Sequence, residues 1–203
     1  MVNLLLPVVI GYLIGSIPFG VIVGKFAGVD IRKVGSGNIG ATNIYRTLGT
    51  FPALMVFLLD MIKGTGAVHI AQFLLPSSTV ILSREFFYVL SGIAAVIGHS
   101  YPVYIGFKGG KGSATGLGVL LGIAPDLFII AMIYTAFAIA VTRYVSVTSI
   151  TGVILLSVLM FSFHKPTEYL IASVIVAALV IYRHIPNIKR LMAGTEPKIW
   201  GKK

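Results

Sequence analysis

The chain has 203 residues, of which 57% are hydrophobic and 11% charged, and its mean hydropathy is +0.97. A soluble domain carries about half apolar and about a quarter charged residues, so this composition excludes a soluble fold and predicts a protein whose solvent is lipid. The formal net charge of +10 comes from short basic clusters between apolar blocks. That pattern is typical of juxtamembrane anchoring, and no nucleic-acid partner is predicted. The absence of cysteine excludes disulfides, thiol nucleophiles and thiolate metal sites.

Long apolar blocks predict the number of membrane-spanning helices. A helix needs roughly 20 apolar residues to cross a hydrocarbon layer ~30 Å thick. About seven spans are predicted, and they cover residues 4–24, 51–75, 86–106, 113–125, 127–142, 147–163 and 168–183. The 113–142 region is divided by Pro125, and a single span with a re-entrant segment there would reduce the count to five or six. The predicted fold is an all-α integral membrane protein with one polytopic domain over residues 1–203.

The distribution of basic residues predicts the orientation of these spans. With seven alternating spans, 13 Lys and Arg residues fall on one side and 2 on the other. Cytoplasmic loops carry the excess of positive charge, so the N-terminus is predicted outside and the C-terminus in the cytoplasm. The glycine-rich loops then lie on the cytoplasmic face. The cytoplasmic set is Lys25, Arg32, Lys33, Arg46, Lys108, Lys111, Arg143, Arg183, Lys189, Arg190, Lys198, Lys202 and Lys203, and the outer set is Arg84 and Lys165.

The first cytoplasmic loop, residues 30–46, contains a GxGxxG pattern from Gly35 to Gly40. A dinucleotide-binding unit would need a strand before the pattern, whereas a membrane span precedes it here. The glycines still let backbone N–H groups turn toward an anion, and polar side chains add donors. The alternative is a flexible turn between helices. The residues predicted to bind phosphate in this loop are Ser36, Gly37, Asn38, Asn43 and Arg46.

The second loop, residues 98–113, has two lysines among glycines at the start of an apolar span. It does not have Walker spacing, because Ile105 stands where the first glycine would be and Gly112 replaces the hydroxyl residue. An anion-binding site at a helix N-terminus is predicted instead. The alternative is that the two lysines only anchor the chain at the membrane surface. The residues predicted to bind phosphate here are Lys108, Gly109, Gly110, Lys111 and Gly112.

Two further segments add polar groups to the same face. The C-terminal segment 182–198 has an apolar helical face at 185–192, which predicts a short interfacial helix, and it places His184 and Asn187 three residues apart. Arg143 and Ser146 precede the sixth predicted span. Deep in the second span, Asp60 and Lys63 are spaced to neutralise each other, so a structural pair and a functional role are both open. No His, Asp or Glu cluster has metal-ligand spacing, and no metal is predicted.

The residues carry a resemblance that covers essentially the whole chain in order. Gly15–Gly20, Val34–Asn43, Gly98–Gly112 and Tyr182–His184 with Asn187 resemble the bacterial acyl-phosphate:glycerol-3-phosphate acyltransferase family. The resemblance implies a plasma-membrane enzyme that moves a fatty acyl group from acyl-phosphate to the 1-hydroxyl of glycerol 3-phosphate in phospholipid synthesis. Both substrates carry phosphate, which suits cations at a membrane surface. None of the four histidines has an aspartate five positions on, which argues against an acyl-CoA-dependent enzyme.

Roles within this site are hypotheses. Lys108, Lys111 and the amides of Gly109–Gly112 are expected to hold one phosphate, and Ser36, Asn38, Asn43 and Arg46 a second, with Arg143 and Ser146. His184 with Asn187 is expected to orient glycerol phosphate or accept a proton, and His99 is a second candidate. These roles could be exchanged among the named residues. The partners expected are the two substrates and membrane lipid, with no cofactor and no obligate protein partner; the alternative is a transporter or channel for a small phosphorylated or anionic solute.

Overall fold

The computed structural model of the protein describes residues 4–75 and 83–200. In these two ranges the regular structure is ten α-helices and two short 3₁₀ turns, without a strand, so the predicted all-α fold is confirmed. Lys202 and Lys203 of the charge tally lie outside the described residues. The helices are α1 (Leu6–Gly15), α2 (Phe19–Phe26), α3 (Ala41–Leu48), α4 (Thr50–Leu74), α5 (Arg84–Ser100), α6 (Ser113–Ile123), α7 (Pro125–Thr142), α8 (Val145–Ser162), α9 (Thr167–Arg183) and α10 (Ile185–Met192).

Several of these helices are long and apolar enough to cross a bilayer. They are the segments Leu6–Phe26, Thr50–Leu74, Arg84–Ile105, Pro125–Thr142 and Val145–Ser162, which makes five, and the pair α9 and α10, bent by 57°, makes a sixth if it counts as one span. The chain divides at Pro125, because proline suits the first turn of α7 and has no N–H with which to continue α6. Helix α6 has 11 residues, about 16 Å, which is short for a span. The count of seven and the orientation of the termini stay predictions.

Glycines let neighbouring helices approach until their backbones touch. A Cβ atom on Gly118 of α6 would lie 1.8 Å from the carbonyl oxygen of Met61 on α4, and one on Gly15 of α1 would lie 2.2 Å from that of Ala95 on α5. Small residues at such contacts are typical of helices packed within a membrane. The contact between Gly118 and Met61 fixes α6 against α4, and it thereby fixes the position of the loop that precedes α6.

A charged cluster lies inside this packed region. Lys63 Nζ is 2.8 Å from Asp60 Oδ1 and 2.8 Å from His99 Nδ1, and it donates to the carbonyl oxygen of Ile17 at 3.1 Å. The side chains of Lys63 and Asp60 are 1% and 3% exposed. The structural pairing that was one of two predictions for Asp60 and Lys63 is therefore present, and His99 is a third member that the spacing did not indicate.

We expect the Asp60–Lys63 pair to be needed for stability as a pair. Lys63→Met leaves the buried Asp60 carboxylate without its counter-charge, and removing one partner of a buried pair costs about 3–5 kcal/mol. The double variant Asp60→Asn, Lys63→Met removes both charges and should recover most of that loss. Thermal unfolding in detergent, followed by circular dichroism, measures both; equal losses in the single and double variants would contradict the prediction.

Candidate functional site

A cavity of about 440 Å³ opens at the end of the bundle where the glycine-rich loops meet. Its polar end brings together side chains that the sequence separates by up to 160 residues, and its deeper part lies among α4, α6, α7, α8 and α9. The polar lining includes Ser36, Asn38, Arg46, Lys111, Ser146, His184, Asn187, Arg190 and Glu196. One cavity thus has a cationic mouth and an apolar interior.

Asn43 holds the first loop in shape. Its Oδ1 accepts from the backbone N–H of Ser36 at 2.8 Å, and its Nδ2 donates to the carbonyl oxygens of Ile31 and Val34, both at 3.1 Å. Gly35 has φ +58°, and a Cβ there would lie 2.2 Å from Asn43 Oδ1, so glycine is required. Asn43 borders the cavity but is 1% exposed, and its amide group is occupied within the loop.

Ser36 and Asn38 reach the cavity from this loop. The backbone N–H of Gly40 donates to Asn38 Oδ1 at 2.8 Å, which closes a turn just before α3. Both residues border the cavity, and Arg46 reaches it from the last turn of α3. The Arg46 guanidinium also donates to the carbonyl oxygen of Pro197 at 3.0 Å, which ties α3 to the C-terminal segment.

The second loop is held between α5 and Arg183. The N–H groups of Gly109 and Gly110 donate to the carbonyl oxygens of Ser100 and His99 at 3.2 and 2.9 Å. On the other edge, Arg183 donates to the carbonyl oxygens of Gly109 and Gly110 at 2.9 and 3.1 Å. These two amides are not free to bind a phosphate, contrary to the prediction. A Cβ on Gly110 would lie 2.0 Å from His99 Nε2, so close packing explains this glycine.

The two lysines of this loop have different surroundings. Lys108 is exposed and does not border the cavity, whereas Lys111 is partly buried at its mouth and donates to Asn187 Oδ1. Burial is the main cause that lowers the pKa of Lys111 to about 8; the Glu196 carboxylate opposes this shift, and the positive charges of Arg190, Arg46 and Arg183 contribute to it. Lys111 therefore carries its charge below about pH 8.

Glu196 is a central acceptor that the sequence reading missed. Its Oε1 accepts from Ser146 Oγ at 2.8 Å and from Asn187 Nδ2 at 2.6 Å, and its Oε2 lies 2.7 Å from Arg190 Nε. Burial alone would raise the pKa of this carboxyl, but the hydrogen bonds from Asn187, Ser146 and Arg190 outweigh it and the pKa is lowered. In the sequence, the feature that could have indicated this role is that Glu196 is a single acid within a basic C-terminal segment.

His184 lies at the joint between α9 and α10. Its Nδ1 is 2.7 Å from the carbonyl oxygen of Val180, which can only accept, so Nδ1 carries the proton and Nε2 has a free lone pair. Burial, followed by the charge of Lys111, lowers the pKa of His184 to about 4. The ring is neutral near pH 7, and its residue borders the cavity beside Asn187.

The cavity collects most of the side chains singled out in the sequence. Those that border it are Ser36, Asn38, Asn43, Arg46, His99, Lys111, Gly112, Ser146, His184 and Asn187. Gly37, Lys108, Gly109, Gly110 and Arg143 do not border it. Arg143 is exposed and has φ +62°, and its carbonyl oxygen accepts from the N–H of Ile199 at 2.8 Å, so its backbone anchors the C-terminal segment. Within residues 4–75 and 83–200, no three His, Asp or Glu side chains are placed to hold a metal ion.

Known proteins resemble this chain over nearly its whole length. A family model described as glycerol-3-phosphate acyltransferase matches residues 5–194. A glycerol-3-phosphate acyltransferase of Desulforamulus reducens is 45% identical over 97% of this chain and 96% of its own, and one of Aquifex aeolicus is 41% identical over 93% and 95%.

A solved structure extends the similarity to the fold. The crystal structure of PlsY (YgiH), an integral membrane glycerol 3-phosphate acyltransferase in its glycerol 3-phosphate form, superposes with a TM-score of 0.90 at 40% identity and covers 98% of this chain and 96% of that one. Its lysophosphatidic acid form superposes with a TM-score of 0.87 at 39% identity. The chain described here belongs to the glycerol-3-phosphate acyltransferase family.

Proposed function

We propose that this chain transfers a fatty acyl group from an acyl-phosphate to the 1-hydroxyl of glycerol 3-phosphate, and that it does so on the cytoplasmic face of a bacterial inner membrane. The products are lysophosphatidate (1-acylglycerol 3-phosphate) and inorganic phosphate, and the reaction is the first acylation of phospholipid synthesis. The observation that carries the proposal is one cavity with cations at its mouth and apolar walls in its depth. An acyl-phosphate has that same division between an anionic head and an apolar chain.

The reaction joins the glycerol oxygen to the acyl carbon. As that C–O bond forms, the bond between the acyl carbon and the phosphate oxygen breaks, and phosphate leaves with the electron pair. The hydroxyl proton passes to His184 Nε2 or to the departing phosphate. An acyl-phosphate is already activated, so holding the two substrates together and neutralising their charge accounts for most of the rate.

The residues at the mouth divide these tasks. Lys111 and Arg46 offer positive charge to the phosphates, and Ser36 and Asn38 add neutral donors. The Gly109 and Gly110 N–H groups are hydrogen-bonded to the end of α5. The phosphate contacts from this loop therefore come from the Lys111 side chain and from the backbone N–H groups at the start of α6, after Gly112. Ser146 and Asn187 are aligned by Glu196, which keeps Lys111 in place through Asn187.

The placement in the membrane is proposed on charge. The loops around the mouth belong to the set with 13 basic residues against 2 on the other side. Positive charge collects on the cytoplasmic side of membrane proteins. Residues at the opposite end of the bundle include Asp126 and Lys165, which form an exposed ion pair at 2.7 Å and take no part in the site.

Reconstitution tests the reaction directly. Purified protein in lipid vesicles, supplied with palmitoyl-phosphate and glycerol 3-phosphate, should release phosphate and form lysophosphatidate in equal amounts, with product identified by mass spectrometry. The matched assay omits glycerol 3-phosphate and should release little phosphate. Anion flux into the vesicles without acyl transfer would instead establish the transporter alternative.

The two lysines of the second loop supply a matched pair of variants. Lys111→Ala removes a cation from the cavity and should lower kcat/KM about 10²–10³-fold, the usual cost of losing one donor to a developing anion. Lys108→Ala changes an exposed residue outside the cavity and should stay within about threefold of wild type. Melting temperatures in detergent show whether both variants are folded; equal activities in folded variants would contradict the role of Lys111.

The lowered pKa of Lys111 predicts a pH dependence. Lys111 is charged below about pH 8 in the free enzyme, so kcat/KM for acyl-phosphate should fall as pH rises through about 8. Lys111→Arg keeps the charge at higher pH and should move that fall upward by at least about one pH unit. Rates are corrected for spontaneous hydrolysis, and Lys108→Arg serves as the control. An unchanged fall in Lys111→Arg would assign the titration to another group.

A further inference from the structure

The cavity continues from its polar mouth deep into the helix bundle. Along α8 its lining runs from Ser146, which donates to Glu196, through Gly152 and Leu156 to Met160. Along α9 it runs from His184 at the mouth through Val176 to Tyr169. The side chains beyond the mouth are mostly apolar, which suits a hydrocarbon chain and not a second phosphate.

The inner end of the cavity is closed by a packed apolar cluster. Met160 is 2% exposed and packs with Leu120, Ala124, Leu127 and Ala131, and Tyr169 packs against the same cluster. Such clusters are packed to the density of a crystal, so a longer chain cannot extend past them without displacing side chains. Met160 and Tyr169 are therefore the end of the path on α8 and α9.

The helix rise gives the depth of this path. Met160 is 14 residues from Ser146 and Tyr169 is 15 residues from His184, so at ~1.5 Å per residue each wall is about 21–22 Å deep. An extended chain of covalent bonds advances about 1.2 Å per bond, as the ~3.5 Å span of a three-bond residue shows. The path therefore has room for about 17 to 18 bonds.

We infer that Met160 and Tyr169 form the end wall that sets the longest acyl chain the enzyme uses, at about sixteen to eighteen carbons. The inference rests on the proposed function, since it names the acyl group as the occupant of the inner cavity. A chain shorter than the path leaves apolar surface unfilled. Each added methylene that becomes buried raises kcat/KM about fourfold until the wall is reached. Beyond the wall, the chain must displace packed side chains and kcat/KM falls.

A series of acyl-phosphates from eight to twenty carbons tests the wall. For wild type, kcat/KM should rise to about sixteen to eighteen carbons and then fall. Met160→Ala removes three side-chain atoms from the wall and should move the maximum about two carbons longer, with at least about a tenfold gain in the ratio of the twenty-carbon to the sixteen-carbon substrate. Ala172→Leu fills the path one turn before Tyr169 and should move the maximum about two to four carbons shorter.

Leu127→Ala is the matched control for Met160→Ala. Leu127 is fully buried in the same cluster but does not border the cavity, so this variant should lose stability without changing the chain-length profile. A Met160→Ala protein that does not fold leaves Ala172→Leu as the deciding variant. Wild-type chain-length profiles in folded Met160→Ala and Ala172→Leu would overturn the wall while leaving the acyl transfer intact. Failure of wild type to use any chain length would overturn the proposed function and the wall together.

Discussion

The carboxylate of Glu196 connects three parts of the chain that approach the cavity from different directions. Ser146 belongs to the first turn of α8, Asn187 and Arg190 belong to α10, and Lys111 joins through Asn187. A carboxylate accepts several hydrogen bonds at once, so one side chain can align a hydroxyl, an amide and a guanidinium. Within the described residues, the other acid that borders the cavity is Asp60, which is paired with Lys63, so Glu196 is the carboxylate that the mouth cations share.

The same requirement for paired charge explains why the site is at the end of the bundle. Asp60, Lys63 and His99 lie at the inner side of the loops, and there the charges are neutralised by one another within packed helices. At the mouth, water and bound phosphate can neutralise positive charge. Lys111 and Arg46 therefore carry charge that is available to a ligand. Below the mouth the lining becomes apolar, which matches the anionic head and apolar chain of the proposed acyl-phosphate substrate.

The glycines of the second loop have a packing role that the sequence motif did not indicate. Gly109 and Gly110 were predicted as phosphate-binding amides, yet their N–H groups bond to α5 and a side chain at Gly110 would overlap His99. The Arg183 guanidinium holds their carbonyl oxygens and lies 5.0 Å over the ring of Tyr101. These glycines bring the loop against α5, and that contact presents Lys111 to the cavity while Lys108 faces outward.

Composition and local pattern by themselves determined the helical membrane fold, the break at Pro125, the short helix after His184 and the choice of polar loops, because each depends on hydropathy or on proline and glycine stereochemistry over a few neighbouring residues. Tertiary structure alone decided that Glu196 organises the mouth, that His99 joins Asp60 and Lys63, and that Lys111 enters the cavity while Lys108 does not. Those outcomes depend on contacts between residues up to 76 positions apart, such as Lys111 with Asn187, and spacing along the chain carries no information about such distances.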